Sequence, residues 1–289
     1  MSQQQSIQFV ECPRDAMQGW KHWIPTETKI NYLKQLLKVG FHTLDFGSFV
    51  SAKAIPQMKD THEVVKALEN HKKDCQLLAI VANIRGAEEA LSYSFIDVIG
   101  YPFSVSETFQ LRNTNVGIRE SFDTVKQLAD LCHQKNRGLV VYLSMAFGNP
   151  YGDPWNAELV MKWLELISQE RITVISLSDT IGVASPESIS YLFSKVIPQY
   201  PQLEIGAHFH STVQTCISKL EAAYKAGCRR FDGALKGLGG CPMAKDELVG
   251  NMPTELMIDY FLNQNMDLPI DVAELQKSLI LSSQVFTLS

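Results

Sequence analysis

Gly206-Ala207-His208-Phe209-His210 closes an apolar run that begins near Leu203. Side chains two apart on a strand point to the same face. His208 and His210 therefore converge if this run is a strand. Two imidazoles held side by side are a ready pair of metal ligands. In an isolated H-x-H, one buried ring and one solvated ring explain the pattern better. The rest of the chain shifts that balance.

Outward from this stretch, strand-like runs alternate with amphipathic helical segments. Strands are predicted at 7–12, 43–46, 76–81, 96–100, 139–143, 174–177, 203–207 and 230–232. The helices that follow them are predicted at 26–39, 60–70, 86–92, 118–134, 155–168, 186–197, 213–226 and 253–263. Thr26 suits an N-cap and Gly40 a C-terminal stop. A long loop is expected before the helix at 118. Eight such units suggest an α/β fold, a (β/α)8 TIM barrel forming a single catalytic domain over 1–289. Residues 268–289 read as a C-terminal extension, helical from Asp271. A doubly wound open sheet is the competing architecture, since period alone does not separate the two. No G-x-G-x-x-G loop follows the first strand, which weakens a dinucleotide-binding reading.

Composition narrows the function classes. The 289 residues are 45% hydrophobic and 20% charged, with a net charge of -5. That balance describes an ordinary globular protein and argues against a general nucleic-acid binder. No apolar run approaches a membrane span, and the first residues carry neither a charged n-region nor an apolar h-region. We expect a cytoplasmic protein without membrane or nucleic-acid partners. The six cysteines form no tight pair, which suits reduced thiols.

In a barrel, functional groups gather where strands end and βα loops begin. Those positions hold Arg14-Asp15, Asp45, Ser48, Tyr142, Ser178-Asp179, the two histidines and the loop Gly237-Leu238-Gly239-Gly240-Cys241-Pro242, then Asn251. Each has a bland explanation: a surface ion pair, a helix cap, a flexible turn, a small core thiol. Jointly those explanations weaken, because several polar groups would have to land on one rim by accident. Asp15, His208, His210 and Asn251 make a two-oxygen, two-nitrogen set suited to an octahedral divalent ion, Mg2+ or Mn2+.

These residues resemble the 3-hydroxy-3-methylglutaryl-CoA lyase family of the DRE-TIM metallolyase superfamily. The resemblance rests on Pro13-Arg14-Asp15 with Gln18, Ser48-Phe49-Val50-Ser51-Ala52-Lys53 running to Ile55-Pro56-Gln57-Met58, and Ser178-Asp179-Thr180-Ile181-Gly182. It continues through His208-Phe209-His210 and the Gly237-to-Pro242 loop, covering about 7–262. It implies cleavage of the C2–C3 bond of 3-hydroxy-3-methylglutaryl-CoA to acetyl-CoA and acetoacetate. Such a retro-Claisen step needs a base at the C3 hydroxyl, a Lewis acid at that oxygen, and positive charge at the departing thioester enolate. The resemblance places Arg14 at the enolate and Asp45 or Asp179 in proton transfer or orientation, without ranking those two. It makes Cys241 a catalytic-loop thiol, sets Lys21 near the CoA phosphates, and lines the pocket with Gln18, Ser48 and Tyr142. It also implies an acyl-CoA substrate; separately, a homo-oligomer, a dimer, is expected.

Departures mark a divergent branch. Ala16 stands where glycine is usual, Asp45 where glutamate is, and Ser211 where aspartate is. A family cysteine is replaced in Gly148-Asn149-Pro150, and Cys241 lies one residue further from Asn251 than usual. Two other readings remain. One is a related condensing enzyme or ketoacid aldolase with a different acyl substrate. The other is a non-catalytic barrel scaffold, which the complete ligand set disfavours.

Overall fold

The computed structural model describes residues 6–240 and 249–287. Eight parallel strands close on themselves: β1 (Gln8–Glu11), β2 (Thr43–Ser48), β3 (Gln76–Ile80), β4 (Val98–Ser104), β5 (Gly138–Ser144), β6 (Val174–Asp179), β7 (Glu204–Ser211) and β8 (Arg230–Gly233). Each pairs with the next, and β1 pairs with β8, so no edge remains among the eight. That closure makes a TIM barrel and rules out the doubly wound sheet.

Strand alternation decides what faces the axis. Leu78, Ile80, Val98, Val140 and Tyr142 form a small apolar cluster of their own on β3, β4 and β5. The intervening residues, such as Leu77, Ile99 and Val141, join the larger cluster shared with the helices. Register then carries the inner face round the ring: Ser178 lies beside His208, His208 beside Asp232, and Val10 beside Asp232.

The major helices follow the predicted order: α2 (Thr26–Leu36), α3 (Thr61–Leu68), α4 (Ile84–Ala90), α6 (Ile118–Gln134), α7 (Ala157–Ser168), α8 (Pro186–Gln199), α9 (Val213–Lys225) and α10 (Thr254–Asn263). The expected cap at Thr26 is corrected: Thr26 is the first helical residue, and Pro25 precedes it without a side-chain cap. Helix α2 also stops at Leu36, before Gly40. At φ +95°, Gly40 instead lets the backbone of Pro269 approach where a Cβ would sit.

Two short helices went unpredicted. Helix α1 (Pro13–Gln18) has only six residues and starts with proline, too short for a periodic signal. Helix α5 (Glu107–Thr114) lies in the expected loop; its Ser106 cap accepts from Phe109 N–H, but few of its residues are buried. The C-terminal segment forms α11 (Val272–Val285), capped by Asp271. It packs along α2: Gln35 donates to the Glu274 carboxylate at 2.7 Å, and Phe286 meets Trp20 and Tyr32 edge-on.

Candidate active site

The cluster assembles at the C-terminal rim. Asp15 sits on α1, directly after β1, while His208 and His210 share the inner face of β7. A short strand, β9 (Gly250–Asn251), runs antiparallel to the end of β7 and sets Asn251 beside His210. Ligand atoms of Asp15, His208 and His210 all lie within 4.8 Å of one another. Gly239, at φ +97°, passes so close that a Cβ there would lie 2.6 Å from Asn251 Nδ2 and 3.0 Å from Asp15 O. Only glycine fits that approach.

The second nitrogen of each histidine is committed. His208 Nδ1 lies 3.1 Å from Asp232 Oδ2, and His210 Nδ1 lies 3.1 Å from the Val249 carbonyl. Ionised carboxylates and carbonyls only accept, so both Nδ1 atoms donate, and in the neutral ring each Nε2 then keeps a lone pair. Burial and the neighbouring His208 push His210 down to about 4, favouring the neutral ring. Burial also disfavours charge on His208, but the Asp232 hydrogen bond and charge outweigh it and raise its pKa.

Arg14 bridges two carboxylates. Its Nε donates to Asp45 at 3.1–3.2 Å, its Nη2 to Asp45 Oδ2 at 2.5 Å and its Nη1 to Asp15 Oδ1 at 3.0 Å. One N–H on each terminal nitrogen stays uncommitted to these two carboxylates. Burial alone would raise Asp15, but Arg14, the two histidines and Asn251 hold it below its ordinary value. At Asp45 burial wins over Arg14, pushing the carboxyl up to about 6.

Other expected site residues fall in different places. Gln18 donates to Asp15 Oδ1 at 2.7 Å. Tyr142 packs edge-on against His208 with ring centroids 5.3 Å apart. Asn251, expected as an oxygen ligand, instead donates its amide nitrogen to Asp15 Oδ2 at 2.7 Å and to Leu238 O at 2.8 Å. Ser48 is buried and accepts from Val50 N–H, ordering the following loop. Lys21 is exposed between α1 and α2. Cys241 lies outside the described residues.

Asp179 is not brought to the cluster. Ser178 faces the axis, so Asp179 faces the helices, where it pairs with Lys219 at 2.6 Å and accepts from the backbone of Val183 and Ala184. Sequence reasoning missed Asp232, although its place at the end of the eighth strand was a usable signal. It also missed the α5 wall, for which there was no comparable signal. A cavity of about 400 Å³ opens over the cluster, lined by Arg14, Asp15, His208 and His210 on one side and by Ile80, Pro102 and Phe109 opposite.

Comparison with known proteins identifies the family and the fold. The HMGL-like family model matches residues 7–280. Hydroxymethylglutaryl-CoA lyase YngG of Bacillus subtilis is 35% identical over 267 residues, covering 92% of this chain and 87% of that protein. The cytoplasmic 3-hydroxy-3-methylglutaryl-CoA lyase of Rattus norvegicus is 31% identical over 89% of this chain and 74% of its own. A crystal structure of the Bacillus subtilis HMG-CoA lyase superposes with a TM-score of 0.91 at 31% identity, covering 97% and 94% of the two chains. An HMG-CoA lyase from Acinetobacter baumannii, in complex with coenzyme A and 3-methylmalate, superposes at 0.90 with 30% identity, covering 97% and 91%.

Proposed function

The chain belongs to the HMGL-like family, and from that premise we propose that it cleaves 3-hydroxy-3-methylglutaryl-CoA to acetyl-CoA and acetoacetate at this site. The observation that carries the reading is the convergence of Arg14, Asp15, His208 and His210 on one wall of a single cavity. A carboxylate and two imidazoles with free Nε2 atoms fit a hard or borderline divalent cation. Asp15, His208 and His210 hold Mg2+ or Mn2+, and Asn251 joins them if its amide turns to exchange Nδ2 for Oδ1. Bound there, the cation supplies Lewis acidity to the oxygens of the substrate.

The chain's own groups do the rest. In the reaction the C3 hydroxyl loses a proton, its electrons form the acetoacetate carbonyl, and the C2–C3 pair passes to the thioester enolate. Arg14 directs its uncommitted N–H groups to that enolate oxygen, where a planar fork of donors is worth more than in water. Asp45 keeps the guanidinium aimed. Its elevated pKa also suits a proton carrier near neutral pH. Cys241 returns a proton to C2. Gln18 and Tyr142 shape the acyl pocket, and Lys21 meets the CoA phosphates. The coenzyme A complex of the Acinetobacter relative supports an acyl-CoA substrate. The same reading makes the chain a cytoplasmic homodimer serving leucine breakdown and ketone-body formation.

The test is direct. Purified protein with Mg2+ or Mn2+ and 3-hydroxy-3-methylglutaryl-CoA should release acetyl-CoA and acetoacetate in equal amounts, and chelation should stop it. Folded, metal-loaded protein that leaves this substrate intact would refute the assignment.

A further inference from the structure

Below the ligand cluster, Asp232 has an unusual environment for a carboxylate. It is 2% exposed and lies on the inner face of β8, in register with His208. Its Oδ2 meets His208 Nδ1 at 3.1 Å, while its Oδ1 is buried and finds no hydrogen-bond partner among the described residues. Burying a carboxylate for one hydrogen bond costs stability. No Lys or Arg pairs with it among the described residues, whereas Asp45 and Asp179 each have one. The group that Asp232 does hold is a ring of the candidate metal set. Tyr142 packs edge-on against the same ring, limiting its rotation.

We propose that Asp232 is a positioning residue for the cation. It keeps His208 as the Nδ1–H tautomer and directs Nε2 toward Asp15 and His210. Carboxylate–histidine pairs of this kind orient a ligand and raise its basicity. The two histidines then differ, because His210 has only the neutral Val249 carbonyl behind it. The inference rests on the metal reading given above.

The experiment is a double-mutant cycle on Mn2+ affinity, read calorimetrically and by the EPR signal of free Mn2+. Asp232→Ala should weaken binding by about 10–100-fold. Asp232→Asn, which keeps an acceptor oxygen and the side-chain shape, should lose less. In a His208→Ala background, Asp232→Ala should cost no more than about threefold, because the ring it orients is gone. In metal-free protein with 15N-labelled histidine, Asp232→Ala should shift His208 away from the Nδ1–H tautomer. Unchanged Mn2+ affinity in Asp232→Ala would overturn the proposal, as would an equal loss with and without His208. If the alanine variant does not fold, the asparagine cycle decides by the same criteria. Wild-type protein that binds no Mn2+ overturns the metal reading and this inference with it. Binding that ignores Asp232 overturns this inference alone.

Discussion

Asp45 and Asp179 are both strand aspartates, both at most 1% exposed, and both paired with a buried cation. Burial is the largest influence on each and raises both pKa values. Their surroundings nevertheless differ. Asp45 faces the axis and holds Arg14 against Asp15. Asp179 faces outward and holds Lys219, which also donates to the carbonyls of Gly182 and His210. One position of strand parity separates a carboxylate of the active-site rim from one that locks a helix to the barrel.

The largest expected effect lies on the axis side. His208→Ala and His210→Ala should each lower turnover by about 10³-fold or more and weaken Mn2+ binding. Thermal unfolding should show that the protein stays folded. Full metal content with wild-type turnover in either variant would remove the axis side of the contrast.

Arg14→Lys preserves charge but not the fork that spans Asp45 and Asp15. We expect about a 10²-fold loss, mainly in kcat, because the missing contact is to the transition state. Steady-state kinetics on 3-hydroxy-3-methylglutaryl-CoA give the answer. Near-normal kcat would mean that a point charge suffices.

Asp179→Asn tests the outer side. It leaves Lys219 charged and buried without its partner, which should cost on the order of 3 kcal/mol in urea unfolding. The kcat of the folded variant should stay within about threefold of wild type, since catalysis is reached only through packing. A large loss of kcat at unchanged stability would return Asp179 to the reaction.

Glu11 sharpens the comparison as an outward carboxylate with no cation paired to it among the described residues. It is 0% exposed and accepts from Leu235 N–H at 2.9 Å and from the Thr254 hydroxyl at 2.6 Å. Burial pushes it from 4.5 up to about 8, despite those bonds. The folded state therefore binds the proton more tightly than the unfolded chain, and stability falls as pH rises through this window. Glu11→Gln, which can keep both contacts, should flatten the fall, gaining on the order of 4 kcal/mol near pH 8.5 relative to pH 5. Parallel pH-stability curves for the two proteins would show that Glu11 does not titrate there.

Much of this was legible locally. Hydrophobic period showed eight strand–helix units, and α6 has the predicted bounds, because a long amphipathic face dictates them. The i, i+2 spacing of His208 and His210 already put both rings on one face. Arg14-Asp15 follows the first predicted strand in the sequence itself. Helices α1 and α5 were illegible because one is too short and the other too weakly amphipathic for period to register.

By itself, then, the sequence determined what nearest neighbours along the chain can determine: element order, the face shared by two histidines, and the residue types available at each strand end. The tertiary structure alone decided that β1 meets β8 and that Asp232 stands behind His208. It also decided that Arg14 spans Asp45 and Asp15, and that Asp179 turns to Lys219. The reason is physical: side-chain direction repeats over two residues, but partners 24 to 40 residues apart meet only through strand register, and register exists only once the barrel has closed.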